Sequence, residues 1–383
     1  MKILVLGGDG YLGWPTVMHL SEHGHDVLAV DNYMRRNLSR EENAEPLFEV
    51  PNLHRRAELW KAKSGKSVGV AIGDLCDWDF VSELFQDSKP DALIHYAEQP
   101  SAPYSMKDRR TATLTFQNNL IATFNVIQAV HEFAPDCHIV KLGTMGEYGT
   151  PNIDIEEGWL DIEHKGRKQK FLYPRAAGSL YHTTKVLDTD LIWFYVRTWG
   201  LRCTDLMQGP VYGLETYENA GEESLYPFLN YDELWGTVIN RFMVQAVAGY
   251  PLTVYGKGGQ TRGYLDIKDT LQCLRLSIEN PAQPGELRIF NQFVETFSVN
   301  DIAERVRASG DRLGISVKIQ NLPNPRKELE EHYYNPAHTG LLDLGLKPHY
   351  LTEEALDGMM QLIVRYKDRI RTDCIFRDVK WNK

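Results

Sequence analysis

Short apolar runs punctuate the first half of the chain. Each is followed by glycine or an acidic residue, then by a stretch whose apolar positions return every three or four residues. Ile3-Leu4-Val5-Leu6, Leu28-Ala29-Val30, Ala92-Leu93-Ile94-His95-Tyr96, Cys137–Leu142 and Leu201–Leu206 read as strands buried on both faces. Ser67–Ile72 reads as a further strand, and Asp79–Gln86, Arg109–Phe133 and Ser179–Thr198 read as helices. Strict alternation of strand and helix predicts a parallel sheet with helices on both faces. Two stretches break the rhythm. Asn37–Lys66 is long, charged and partly helical, and Gly149–Pro174 reads as a β-hairpin turning at His164-Lys165-Gly166. After residue 206 the pattern loosens into short segments rich in proline, glycine and aromatics. The fold class predicted is therefore α/β: a doubly wound parallel sheet with a smaller C-terminal α/β substrate domain. Its boundaries are 1–205 for the first domain and 206–383 for the second, with about 232–252 returning to the first.

In such sheets ligands bind at the carboxyl ends of the strands. The first strand ends in Gly7-Gly8-Asp9-Gly10-Tyr11-Leu12-Gly13, and a helix follows at once. Gly7 suits a tight turn, Gly10 a close approach of backbone to a pyrophosphate, and Gly13 close packing of helix on strand. The second strand ends in Asp31, where a carboxylate accepts from both hydroxyls of an adenosine ribose and repels a ribose phosphate. This is a Rossmann dinucleotide site that favours NAD over NADP. Asn32, Arg35 and Arg36 follow. The arginines read equally well as phosphate binders, a solvated loop or a lid stacked on adenine.

Composition narrows the class. Lys plus Arg number 42 against 52 for Asp plus Glu, a net charge of -10, which argues against a broad nucleic-acid surface. No apolar run is long enough to span a bilayer, so no membrane insertion is expected. The chain starts directly on the first strand, with no room for a targeting peptide, so the expectation is either a cytoplasmic protein or a processed form. The five cysteines are scattered, without CxxC or zinc spacing, so they read as reduced thiols and no metal is expected.

Tyr181 and Lys185 stand at i and i+4 on a predicted helix, hence on one face one turn apart. A nearby ammonium together with a positive nicotinamide ring favours the phenolate. The phenolate can then take a proton from a sugar hydroxyl while hydride leaves the same carbon for NAD. Thr144 ends the strand upstream.

Together these residues resemble the extended short-chain dehydrogenase/reductase family, the nucleotide-sugar epimerases and dehydratases. Thr144, Tyr181 and Lys185 match its catalytic triad, Asp74 its adenine contact, and Gly259–Asp266 its substrate-domain strand. The resemblance further assigns Tyr11, Leu12, Leu75, Tyr96, Asn118 and Asn119 to the cofactor. It assigns Glu98, Gln99, Ser101, Gln208, Tyr255, Gln260 and His332 to the substrate, and Arg262 and Arg326 to the UDP phosphates. It also implies a homodimer built on the helices near Arg109–Phe133 and Ser179–Thr198, with Leu120, Phe124, Ile127, Leu187, Leu191 and Phe194 on their apolar faces.

Longer blocks are similar to the branch of that family that forms UDP-sulfoquinovose from UDP-glucose and sulfite. They include Ala97-Glu98-Gln99, Ser101–Met106, Gly143–Gly158, Thr253–Ile267, Pro323–Arg326 and Glu330–Asn335. The resemblance implies oxidation at carbon 4, loss of water across carbons 5 and 6, addition of sulfite at carbon 6, and return of the hydride. Whether free sulfite or a sulfite-donor protein supplies the sulfur stays open. Where 4,6-dehydratases carry Asp-Glu after the threonine, this chain has Met145-Gly146. Proton transfer at carbon 5 then falls to Glu147 or His182, with His182 also able to hold sulfite as an imidazolium. A 4-epimerase acting on UDP-sugars would need the same triad but no carbon 5 base. A dinucleotide-sensing regulator would have little use for the triad at all.

Overall fold

A computed structural model describes residues 1–324 and 332–376. Seven strands form one parallel sheet: β1 (Lys2–Leu6), β2 (Asp26–Asp31), β3 (Gly69–Ile72), β4 (Ala92–His95), β5 (His138–Thr144), β8 (Arg202–Gln208) and β12 (Leu287–Gln292). Their order is β12-β8-β5-β4-β1-β2-β3, and every pairing is parallel. The chain winds outward from β1 in both directions, so the strand order reverses beside β1. A ligand crevice opens at such a reversal.

Register decides what meets there. Leu6 pairs with Val30 on one side and His95 on the other, so Gly7, Asp31 and Tyr96 emerge level with one another. Thr144 pairs with Gln208, and Gln208 with Gln292, which sets a second row of polar ends beyond the first. The flanking helices start on side-chain caps. Asp108 accepts from the Thr111 amide to open the helix Arg109–Phe133, and Ser179 accepts from the His182 amide to open Leu180–Trp199. Gly200, in the left-handed region, ends the latter.

The remaining strands are β6 (Trp159–His164), β7 (Arg167–Leu172), β9 (Val211–Tyr212), β10 (Leu252–Tyr255), β11 (Thr261–Asp266), β13 (Glu295–Ser298) and β14 (Ile319–Leu322). The expected hairpin is β6–β7, antiparallel, turning through Lys165-Gly166. β10 pairs with β14, while β13, β11 and β9 form a small sheet. A second apolar core, which includes Phe242, Val254, Ile302, Val306 and Met360, underlies these elements.

Two expectations about the domain boundary change. The segment around 232–252 does not return to the first unit: Ile239, Phe242, Val244 and Leu252 pack in the second core. The returning segment is the helix Ile267–Glu279 with β12. Cys273, Leu274 and Ile278 join the core beneath β1, and β12 hydrogen-bonds to β8 at the sheet edge.

Candidate active site

The two units enclose one large cavity of about 860 Å³ over the carboxyl ends of the sheet. At one end lies the glycine turn. Gly7 adopts φ +86°, and its amide donates to the Val30 carbonyl at 2.8 Å. A Cβ on Gly13 would stand 2.0 Å from the Gly7 carbonyl oxygen, so the helix can seat against the turn only without a side chain there. Gly10, Tyr11, Leu12, Asp31, Asn32 and Arg35 share this end, with Asp74, Leu75, Tyr96 and Asn118 beside them.

Asp31 accepts the Asp9 and Tyr33 amides at 3.0 and 2.7 Å. Burial, then the neighbouring Asp9 carboxylate, pushes its carboxyl up to about 6. The phosphate-binder reading of the arginines does not fit. Arg36 is spent on Asp9 through Nε and Nη2 and on the Val50 and Pro51 carbonyls. Arg35 lies 3.6 Å over the Trp235 ring and donates to Asn230 at 2.6 Å. Neither guanidinium is left for a ribose phosphate, so a glycine cradle beside an acceptor carboxylate fits NAD.

In the middle of the cavity stand Thr144, Met145, Gly146, Tyr181 and His182. Thr144 Oγ1 accepts the Gly146 amide at 3.1 Å. The His182 ring lies against Gly146, where a Cβ would be 2.5 Å from its Nε2. Its Nδ1 is 3.1 Å from Ser179 Oγ. Lys185 is buried, and its ammonium donates to Glu98 Oε1 and the Leu142 carbonyl, both at 2.6 Å.

That pairing revises the expected electrostatics. Burial, then the Glu98 and Glu147 carboxylates, push the Tyr181 phenol far above its ordinary value. Lys185 alone does not yield a phenolate, because Glu98 offsets its charge.

Five residues expected at the ligands do not line the cavity: Lys185 and His332, which reach it through Glu98 and Arg262, and Glu147, Gln99 and Asn119. Glu147 is fully buried beneath the wall formed by its neighbours Gly146 and Tyr148. Its carboxylate accepts the Thr144 amide and lies 3.4 Å from both Lys141 Nζ and Arg175 Nη1. Burial holds it above the usual carboxylate range, against the pull of Lys141 and Arg175. Glu147 is thus part of an internal charge cluster, completed by Asp205 and Thr189 around the Lys141 ammonium. Gln99 folds back on its own loop, bonding Ser101 and Thr115. Asn119 clamps that loop, accepting the Gln99 amide at 2.8 Å and donating to Thr184.

Ser101, Gln208, Tyr255, Gln260 and Arg262 also line the cavity, Gln208 as the strand neighbour of Thr144. Ser101 caps the helix Ala102–Ser105, Gln208 donates to Gln292 at 3.0 Å, and Tyr255 donates to Glu233. Arg262 Nη1 donates to the Thr261 carbonyl at 2.7 Å and lies 3.2 Å from His332 Nε2. Arg326 lies outside the described residues. Sequence reasoning missed Lys141, hidden inside an apolar strand, and Arg175, which follows Pro174 at the foot of the hairpin and lines the cavity.

The profile of the NAD dependent epimerase/dehydratase family matches residues 3–291. The UDP-sulfoquinovose synthase of spinach chloroplasts (Spinacia oleracea) is 51% identical over 382 residues, covering 100% of this chain and 79% of the spinach protein. The UDP-sulfoquinovose synthase of Sulfolobus acidocaldarius is 46% identical over 386 residues, covering 100% of this chain and 98% of that one. Among solved structures, the UDP-glucose 4-epimerase of Bifidobacterium longum in complex with NAD+ and UDP superposes with a TM-score of 0.73 at 17% identity, covering 97% of this chain and 100% of that one. The UDP-glucose 4-epimerase of Thermus thermophilus, solved with NAD, gives 0.65 at 22% identity over 94% and 98% of the two chains; these two likenesses concern the fold. By its sequence over its whole length, the chain belongs to the NAD dependent epimerase/dehydratase family and, within it, to the UDP-sulfoquinovose synthases.

Proposed function

We propose that the cavity converts UDP-glucose and sulfite to UDP-sulfoquinovose with Tyr181 and His182 as its two proton-handling groups. The observation that carries this is their shared wall: both line the cavity beside Thr144, with the His182 ring against the glycine that stands where a dehydratase carries an acid. The glycine turn and Asp31 would hold NAD, which would supply the acceptor and later the donor of the carbon 4 hydride.

Tyr181 accepts the proton of the carbon 4 hydroxyl, and Thr144 Oγ1 orients that oxygen. Burial and the neighbouring carboxylates push the phenol up, and positive charge beside it would favour the phenolate. A ketone at carbon 4 acidifies the hydrogen on carbon 5. His182 removes that proton and holds it, and the carbon 6 hydroxyl leaves as water with a proton drawn from solvent. Its Nδ1 is oriented by Ser179, and Nε2 is the nitrogen on the Gly146 side. Sulfur then bonds to carbon 6, carbon 5 regains a proton, and Tyr181 reprotonates the carbon 4 oxygen. Arg262, on the cavity wall, holds the UDP diphosphate.

Lys185 positions the reacting groups through the Leu142 carbonyl, one strand residue from Gly143-Thr144. Mass spectrometry of UDP-glucose, NAD and sulfite incubated with the protein tests the reading. A sulfonated UDP-hexose is the expected product. UDP-galactose formed without sulfite, and no sulfonated product, would make it an epimerase instead.

Two further readings belong here. The helices Arg109–Phe133 and Leu180–Trp199 leave a shared apolar face open to solvent, which supports a homodimer. No helix among the described residues is long and apolar enough to cross a membrane. With that, we place the enzyme in an aqueous compartment that supplies UDP-glucose and either sulfite or a sulfite-donor protein.

A further inference from the structure

One buried cation on the cavity wall has no role in the steps above. Arg175 lies between the β6–β7 hairpin and the helix Leu180–Trp199. Its side chain is 4% exposed, and it lines the cavity. Nη1 is 3.4 Å from Glu147 Oε2 and 4.0 Å from Asp190 Oδ1. Yet none of its three nitrogens has a hydrogen-bond partner among the described residues. A guanidinium offers five N–H donors in a planar fork. Glu147 Oε2, itself without a hydrogen-bond donor, faces Nη1 as an ion pair, while Nε and Nη2 have no acceptor. Buried polar groups in folded proteins are nearly always satisfied, so these donors call for an acceptor.

Position says which ligand. Arg175 lines the cavity together with Gly149, Tyr173 and Ala176. The Ala176 amide donates to the Glu147 carbonyl at 3.1 Å. Arg175 is thereby tied to the segment Gly146-Glu147, whose other side carries the His182 ring. The guanidinium and the imidazole flank one peptide segment. The twenty-residue helix Leu180–Trp199 begins just beyond, and its N-terminal end adds partial positive charge.

We propose that Arg175 is the seat of sulfite; this rests on the reading that sulfite is the second substrate. Two oxygens of the pyramidal oxyanion accept from the guanidinium fork, which turns the sulfur lone pair away from the arginine and toward the sugar. That lone pair forms the carbon 6–sulfur bond. The electrons of the carbon 5–carbon 6 double bond move onto the carbon 4 oxygen, and carbon 5 then takes a proton from His182. No oxidant or reductant is consumed in the addition. Glu147, ion-paired to the arginine, holds the fork in place and keeps its net charge low enough for product to leave.

The test is steady-state kinetics of Arg175→Gln and Arg175→Lys on the NAD-loaded enzyme, with sulfite and UDP-glucose varied separately and sulfate as a competing oxyanion. In Arg175→Gln the sulfite KM is expected to rise about ten- to hundredfold, the loss of one or two charge-assisted hydrogen bonds. Arg175→Lys keeps the charge without the fork and falls between the two. The UDP-glucose KM shifts by much less in both. Sulfate inhibits the wild type competitively against sulfite, and does so more weakly in the variants. A sulfite KM within about twofold of wild type in either variant that folds would overturn the proposal. So would an equal rise in both KM values with a lowered melting temperature, since Arg175 would then be only a structural partner of Glu147. A wild-type enzyme that makes no sulfonated product would instead take down the function itself.

Discussion

Tyr181 and Lys185 work in a setting that their spacing does not reveal. The ammonium is tied to Glu98 at 2.6 Å, and burial with nearby carboxylates keeps the phenol neutral. A pyridinium held over the glycine turn would add positive charge beside the phenol, and proton removal would then depend on the cofactor. Tyr181→Phe is expected to keep NAD bound and to lose the first oxidation by about 10²–10⁴ in rate. Fluorescence of bound NADH after adding UDP-glucose reads this directly, and a wild-type rate in the variant would remove Tyr181 from its role. His182→Ala should still oxidise carbon 4 but lose exchange of solvent deuterium into carbon 5. Undiminished exchange would move the base elsewhere. Asp31 gives a pH effect whose sign can be worked out. Its carboxyl is raised from 3.8 to about 6, so the folded chain holds a proton that the unfolded chain releases between those values. Stability from this group is fully present below the lower value and is lost as pH rises through about 6. NAD affinity runs the other way, because the ribose hydroxyls need the ionised acceptor. Calorimetric titration should find NAD binding weaker at pH 5 than at pH 7, and Asp31→Asn should flatten that difference.

At the level of elements, the central strands were legible because both faces of each are covered, so each sequence is a continuous apolar run. β12 was not, because Arg288, Asn291 and Gln292 interrupt its apolar residues, as an edge strand permits. The segment around 232–252, expected to return to the first unit, holds the helix Val238–Ala248, whose buried residues pack in the second core. For Glu147, proximity to Thr144 in sequence suggested catalysis, while its actual partners, Lys141 and Arg175, come from a strand and a loop that no spacing connects. The glycine turn was readable to the residue, since Gly7 and Gly13 answer to backbone geometry alone. Gly13→Ala would force its methyl to within 2.0 Å of the Gly7 oxygen unless the helix moved. The helix N-terminus would then lose its aim at the pyrophosphate, and NAD affinity is expected to fall at least about tenfold. An unchanged dissociation constant would mean the turn adapts without cost.

At the scale of the whole molecule, one apolar surface has no partner among the described residues. Phe116 (45% exposed) and Phe124 (39%) on the helix Arg109–Phe133 stand out beside Leu187 (38%) and Phe194 (49%) on the helix Leu180–Trp199. The two helices pack side by side, so these residues form one patch rather than scattered exposures. Ile127, expected on the same face, instead turns inward to the core of the first unit, which narrows the open face. Contiguous apolar surface rimmed by polar side chains is characteristic of a protein–protein contact. A second copy of the same patch, related by a two-fold axis, would close it with four helices. The same helices carry Asn118 on one and Tyr181, His182 and Lys185 on the other, so a dimer there would stiffen the backbone that aims the reacting groups. Phe124→Asp combined with Phe194→Asp is expected to give a folded species near the 43.9 kDa of one chain, with lower activity at high dilution than the wild type. Light scattering at micromolar concentration decides it: a wild-type particle of one chain's mass would rule the dimer out.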